Sequence, residues 1–402
     1  MKQSDSLYCA WADSGLALHN SGRALLCCHS RAYLDDAQGE KIYWHTHRLG
    51  DAWDSPTRQE IKSALSQGQQ HQNCQACWDE ESAGRDSRRT LTNRQFSDLP
   101  ESPPSPALLD LKLGNTCNLA CRTCWPEVSS KWYKDYWTVY DQSNTDYKTY
   151  LNRWKSIQQS YDKDNTILWD DLRTWLANVK YIDLFGAEPM LLDRLFDILR
   201  WAVANGHAVS QDLHINTNGT IWNTEYMAIL TGFNQVNFDV SIDGIGPHYD
   251  YIRYGETWSV VDNNLNAFKA LATQFKNIQL CVCVTVSILN VYYLDEIWKH
   301  MVDRGLQPFF NVVHMPEHTC IRAIPDSVKS LVEKKLRAYT NDTRGWSNQI
   351  ESVINFMNMP LNNAEQHWAE FTRSSLALDE VRNQDFAKTF PEFNQLLATL
   401  AP

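Results

Sequence analysis

The stretch LKLGNTCNLACRTC places Cys117, Cys121 and Cys124 in a C-x3-C-x2-C arrangement, which gathers three thiolates around one small inorganic centre. A structural zinc ion wants a closed tetrahedron of four ligands. A cubane iron–sulfur cluster held by three thiolates instead keeps one iron open to bind something else. The open iron is where the spacing predicts chemistry, and the rest of the chain has to position it.

The chain has 402 residues, which suggests two or three packed units at roughly 100–200 residues per domain. Its opening, MKQSDSLYCA, is polar and does not resemble a secretory signal, and no apolar run approaches the roughly 18 residues that span a bilayer. The reading is a soluble, cytoplasmic protein without a membrane partner. With 48 acidic against 37 basic residues, the net charge of −11 argues against a broad phosphate-binding face and hence against nucleic acid. Eleven cysteines in such a chain suggest metal or catalytic thiols more than disulfides. They cluster, with Cys9, Cys27, Cys28, Cys74 and Cys77 early, then the triplet, then Cys281, Cys283 and Cys320.

The stretch PESPPSPA, 100–107, reads as a linker, so residues 1–102 form an N-terminal module and 103–316 the main body. In the body, short β-like runs (ALLDLKL, YIDLF, DLHINT, VNFDVSI, IQLCVCVTVS, PFFNVVH) alternate with longer helical patterns such as LLDRLFDILRWAVANG, where Gly206 suits a C-cap. Strands separated by helices imply βαβ crossovers and a parallel sheet. Six of them predict an α/β fold, a partial (β/α)6 TIM-like barrel. Active groups gather at the carboxyl ends of such strands. The triplet, GAEP at 186–189, NTNG at 216–219 and SIDG at 241–244 each follow or close a strand there.

Residues 125–180 form a Trp-rich helical insertion, either packing its indoles onto the barrel or walling a substrate site. Residues 317–402 are expected to be a helical extension, with Val328, Leu331, Val332 and Leu336 on one face of PDSVKSLVEKKLRAY. The polar FTRSSLALDEVRNQDF near the end shows no chemistry from residue types alone.

With these motifs in order, residues 106 to about 315 resemble the radical SAM superfamily, enzymes that cleave S-adenosylmethionine (SAM) reductively. Cys117, Cys121 and Cys124 match its cluster loop, and Gly186, Ala187, Glu188 and Pro189 look like its GGEP segment with Ala for the second Gly. The resemblance implies a [4Fe-4S] cluster with an open iron, and SAM held by those four residues with Asn218, Ser241 and Arg253. Where the family usually has an aromatic residue before the last cysteine this chain has Thr123, and Trp125 is the candidate substitute beside adenine.

The first hundred residues resemble the twitch and SPASM auxiliary-cluster domains. Cys9, Gly22 and Cys27 keep their hairpin spacing, and CQACWDEE ends in Cys74-x2-Cys77. These domains usually follow the barrel. Here the module precedes it, as in a group of twitch-containing radical SAM proteins that often carry a similar EESAGRDSRR stretch and LDEVRNQ tail. The resemblance implies that Cys9, Cys27, Cys74 and Cys77 hold a second cluster that relays electrons or acts as scaffold. A structural zinc with four thiolates is the alternative, and Cys28 competes with Cys27 as ligand.

Read as chemistry, the amino and carboxylate groups of SAM could chelate the open iron. Glu188 offers an acceptor for an ammonium and Arg253 a bidentate partner for a carboxylate. Their structural alternatives are a helix cap for Glu188 and a pair with Glu256 for Arg253. On the fifth strand Cys281, Cys283, Thr285 and Ser287 share one face and Val282, Val284 and Val286 the other. Cys283 and Cys320 are candidate hydrogen-atom donors, though buried cysteine is an ordinary core residue.

The expected function is hydrogen abstraction from a peptide or small protein, giving oxidation, crosslinking or epimerisation, with a flavodoxin- or ferredoxin-type reductant. A small metabolite substrate, or a non-catalytic zinc-binding interaction protein, are the alternatives.

Overall fold

Alternation of period two is clearest in IQLCVCVTV, where Val282, Val284 and Val286 are all fully buried. In the computed structural model, which describes residues 7–82, 86–100, 102–139, 145–162, 166–339 and 345–398, this run is one of eight strands in a single sheet. Two belong to the first hundred residues, β1 (Gly15–Leu18) and β2 (Ala24–Leu25). The six anticipated strands follow as β3 (Leu108–Leu111), β4 (Tyr181–Leu184), β5 (Asp212–Thr217), β6 (Gln235–Ser241), β7 (Ile278–Val286) and β8 (Pro308–Val312). The order is β2-β1-β3-β4-β5-β6-β7-β8. β1/β3, β3/β4, β4/β5 and β7/β8 are parallel, and the β1/β2 hairpin is antiparallel. The chain is therefore α/β with the expected six-stranded partial barrel, its first strand extended by the N-terminal hairpin.

Helices follow the sequence pattern. In the first hundred residues α1 (Gln75–Ser82) and α2 (Arg88–Gln95) matter for the site, and α2 starts on a capping box in which the Ser87 side chain accepts from Thr90 N–H. The Trp-rich insertion holds α3 (Trp132–Val139), α4 (Thr145–Asp162) and α5 (Thr166–Trp175). Crossover helices α6 (Asp193–Ala204), α7 (Thr224–Leu230), α8 (Trp258–Gln274) and α9 (Leu294–Asp303) follow β4, β5, β6 and β7. Gly206 takes φ +74° just past α6, the left-handed position a C-terminal glycine supplies. Beyond β8 the chain is helical, including α10 (Asp326–Ala338), α11 (Trp346–Met357) and α12 (Ala364–Arg382). In α10, Val328, Val332 and Leu336 are buried as expected, but Leu331 is 39% exposed and Lys329 takes a place on the buried side. Among the described residues, no helix is long and apolar enough to cross a membrane.

The chain forms two compact units. One comprises 1–116, 152–216 and 223–237, and the other 117–151, 217–222 and 238–402. In the first, the proline-rich stretch is tied down locally: Ser102 N–H donates to the Asp13 carboxylate (3.1 Å), whose other oxygen meets Lys62 Nζ at 2.6 Å. In the second, β7 and β8 stand at one end of the sheet order, and the core of Trp298, Phe310 and Trp346 packs edge to face.

Candidate functional site

The cysteine triplet lies in the second unit, on the loop that leaves β3. Cys117 and Cys121 are buried and Cys124 is half-buried. Backbone bonds shape the loop, with Ala120 N–H donating to the Tyr254 carbonyl (2.7 Å) and Arg122 N–H to that of Ile252 (2.8 Å). Gly255, at φ +124°, lets the neighbouring chain come this close, because a Cβ there would stand 2.9 Å from the Asn118 carbonyl oxygen and 3.2 Å from Leu119 Cα. Leu119 N–H points at Cys117 Sγ (3.4 Å), and Asn218 Nδ2 stands 3.8 Å from the same sulfur. The TNG segment is braced for this: Asn218 Oδ1 accepts from Thr220 N–H and Oγ–H, and Asn118 Nδ2 donates to Thr220 Oγ1.

The neighbouring Cys124 thiol brings the Cys121 thiol down to about 7 against its burial, with the Arg253 and Arg382 charges lowering it further, and Cys124 is pushed up in turn. A poised thiolate beside guanidinium groups is a soft metal ligand. Arg253 pairs with Asp243 (2.6 Å) and not with Glu256. Asp243 is fully buried, and its other oxygen accepts from Thr285 N–H (2.8 Å) while Asn290 Nδ2 donates to its carbonyl (3.0 Å). Ser241 is buried at the end of β6.

Cys283 is buried on β7, its electrostatic neighbours Asp243, Asp239 and Arg253, and burial followed by those acids raises its thiol above the ordinary range. Cys320 is buried between two short turns, among Arg322, Glu317 and Lys329. Cys283 thus shares Asp243 and Arg253 with Cys121. Cys281 stands half-buried with its Sγ toward the Gln307 carbonyl.

A cavity of about 230 Å³ adjoins Cys124. Trp125, Trp132 and Tyr136 line it from the insertion, and Phe371, Ser374 and Leu378 from α12. The insertion thus divides its indoles. Trp125 and Trp132 face this cavity, whereas Trp154, Trp169 and Trp175 are buried in packing.

In the first unit, GAEP turns sharply after β4, with Gly186 at φ +84° and Ala187 at φ +54°. The second value explains why glycine suits this place, since a Cβ in the left-handed region costs roughly 1–2 kcal/mol. Glu188 is fully buried, its N–H donating to the carbonyl of Thr116, the residue before Cys117 (3.1 Å). Its Oε1 accepts from Met190 N–H (3.0 Å), so it caps the 3-10 turn Pro189–Leu191.

Also in the first unit, Cys9, Cys27, Cys74 and Cys77 line one small cavity with Trp78 and Arg89. Burial raises all four thiols, Cys9 to about 11 and Cys74 to about 12, so a cation is what would ionise them. Four soft donors around one cavity suit a thiolate-bound centre. Cys28 points elsewhere: burial and Asp110 act on its thiol, and it does not line the cavity. His29, Cys77 and Glu80 hold ligand atoms within 4.8 Å of one another at the same place. The EESAGRDSRR stretch, whose 83–85 lie outside the described residues, brings Arg89 to the cavity. Arg89 pairs with Glu81 (2.5 Å) and donates to the Tyr8 carbonyl (2.8 Å) beside Cys9.

Two features escaped the sequence reading. One is a polar row made by strand register, Asp110 opposite Asp183 and Asp183 opposite His214. Asp183 binds His214 Nδ1 and Arg88 Nη2, both at 2.8 Å, which hold it low against burial. Asp110 is 1% exposed, the Cys28 thiol is turned to it, and burial together with Asp183 lifts it to about 7. The other is the attachment of α12 to the cysteine loop. Arg122, between Cys121 and Cys124, pairs with Asp379 (2.5 Å) and donates to Gln384 (2.9 Å) and the Ser375 carbonyl (3.4 Å). The alternating acids of β3 to β5 were the available signal for the first, and the charges of LDEVRNQ for the second.

No protein-family model matches the chain, and no curated protein does. Among solved structures it is similar to native anSMEcpe with bound AdoMet (14% identity, TM-score 0.40) over 58% of this chain and 60% of that one. Native anSMEcpe with bound AdoMet and Cp18Cys peptide matches at 15% identity and TM-score 0.38, over 58% and 59%. The radical S-adenosylmethionine methyltransferase TsrM from Kitasatospora setae, with cobalamin and a [4Fe-4S] cluster bound, matches at 12% identity and TM-score 0.30, over 37% and 30%. The chain thus spans about 60% of the length of the first of these.

Proposed function

We propose that the chain is a radical SAM enzyme that abstracts hydrogen from a peptide or small protein. The observation that carries this reading is the convergence on one loop of three cysteines, with Asn218 and Arg253 beside them. Cys117, Cys121 and Cys124 would hold a [4Fe-4S] cluster through three of its irons, and Cys9, Cys27, Cys74 and Cys77 a second one. When bound and reduced, the first cluster supplies one electron that splits a carbon–sulfur bond of SAM and releases a 5′-deoxyadenosyl radical.

The residues have separable tasks. Glu188 receives the SAM ammonium, with Gly186, Ala187 and Pro189 shaping the turn that presents it. Arg253, anchored to Asp243 through one Nη, receives the carboxylate with Nε, which makes no hydrogen bond among the described residues. Asn218 and Ser241 approach the ribose. Trp125, in the wall of the cavity beside Cys124, takes the adenine face that Thr123 cannot. Cys283 is the better placed of the two thiols to return a hydrogen atom, because it shares Asp243 and Arg253 with the triplet.

The test is anaerobic incubation with SAM, dithionite and candidate substrates in deuterated form. Deuterium in 5′-deoxyadenosine from a labelled peptide supports the reading. Label transfer from an amino acid, sugar or cyclitol alone moves the substrate to small metabolites. Stoichiometric zinc without sulfide in the anaerobically purified protein overturns the radical chemistry altogether.

A further inference from the structure

The tail segment LDEVRNQ carries two arginine–carboxylate contacts of different kinds onto the cysteine loop, and the contrast between them is informative. Arg122 has a partner at each of its three nitrogens. Its Nε donates to the Tyr251 carbonyl, its Nη groups to Asp379, Gln384 and the Ser375 carbonyl, and its face lies 3.7 Å from the Tyr251 ring centre. Its role is structural, fastening α12 to the loop.

Arg382 is different. Its side chain has no solvent exposure, and Nε donates to Asp135 Oδ2 at 2.8 Å. The guanidinium is held by the Trp132 and Tyr254 rings, 4.8 and 4.5 Å from their centres. Those rings engage the face of the cation and leave its edge N–H groups unsatisfied. Nη1 and Nη2 make no hydrogen bond among the described residues. A buried donor left unpaired costs about 1–3 kcal/mol, and a guanidinium carries several. Asp135 balances the charge but uses only one N–H. The rings belong to the triplet's own scaffold, since Trp132 Nε1 donates to the Cys121 carbonyl (2.9 Å) and the Tyr254 carbonyl accepts from Ala120 N–H. Cys121 is the cysteine within the cation's electrostatic reach.

We propose that Arg382 is a positioning residue of the triplet's centre, donating N–H···S hydrogen bonds from Nη1 and Nη2 to the sulfur of Cys121 and an adjoining sulfide, and making the centre easier to reduce. The proposal rests on the reading that the triplet holds a cluster. Hydrogen bonds and positive charge at the sulfurs favour the state with the added electron, which is how a protein tunes such a centre. The C-terminal helix is then part of the cluster site as well as its cover.

The test is a redox titration of the full-length reconstituted protein, followed by the electron paramagnetic resonance signal that SAM perturbs, which separates this centre from the N-terminal one. Arg382→Met removes donors and charge at similar length. Its reduced-to-oxidised ratio at a fixed potential should fall about tenfold, roughly 59 mV for a one-electron couple. Arg382→Lys keeps the charge but not the fork, folds more easily, and should shift part of the way. Asp379→Asn loosens the Arg122 clamp without touching Arg382 and should leave the potential unchanged. Both Arg382 variants titrating with the wild type overturns the proposal, and so does an equal shift in Asp379→Asn. Wild-type protein with no SAM-responsive cluster removes the underlying reading instead.

Discussion

Asp110 shows how a single residue can make stability depend on pH. Its carboxyl, about 3.8 in an open chain, is lifted to about 7 by burial and by Asp183, against Lys112, Arg88 and the Cys28 thiol, which pull it down. A raised pKa means that the fold favours the protonated form. The stability this group contributes is present below pH 4 and is lost as the pH rises through 7. Asp110→Asn cannot ionise, so its melting temperature should gain on that of the wild type between pH 4 and 7 and hold the gain above. Parallel melting curves would show that Asp110 is not a buried acid. At Ala187, φ +54° is the strained choice, and Ala187→Gly should stabilise the protein by up to ~1 kcal/mol in denaturant unfolding. A loss of stability would place the residue outside the left-handed region. The ligand choice between neighbouring cysteines is also a residue question. Cys27 faces the cavity of Cys9, Cys74 and Cys77, while Cys28 turns to Asp110. Cys27→Ala should therefore lose about four irons per chain and Cys28→Ala none, by iron analysis.

At the scale of elements, the six barrel strands were legible because each is a short apolar run between helical patterns, and period two placed the valines of β7 in the core. Register was not legible. Asp110, Asp183 and His214 look like scattered polar residues until β3, β4 and β5 are aligned side by side. The tail was equally opaque, because FTRSSLALDEVRNQDF reads as an ordinary polar helix and its meaning lies in partners more than 240 residues away. α12 pairs its buried charges with the loop and with α3. Removing one member of such a pair strands the other, at a cost of about 3–5 kcal/mol. Asp379→Ala should lose stability on that scale in denaturant unfolding because Arg122 stays buried. A change under 1 kcal/mol would mean that the tail is only loosely attached.

For the molecule as a whole, the sequence carried the order of the motifs and the class of fold, since both follow from local spacing. It did not carry how the N-terminal hairpin joins the body. Gly15–Leu18 pairs in parallel with Leu108–Leu111, so the first hundred residues continue the sheet through β1. Nothing in a four-residue apolar run such as GLAL announces its partner. The substrate is likewise a property of the assembled molecule. The cavity beside Cys124 takes its walls from the insertion and from α12, segments of ordinary composition more than 200 residues apart. The central claim is that three thiolates leave one iron free for the amino and carboxylate groups of SAM. Its most direct measurement is the electron paramagnetic resonance spectrum of the anaerobic, dithionite-reduced protein before and after SAM is added. The account predicts that adding SAM changes the spectrum in wild type and that this change is lost in Cys121→Ala; an unchanged wild-type spectrum would contradict it.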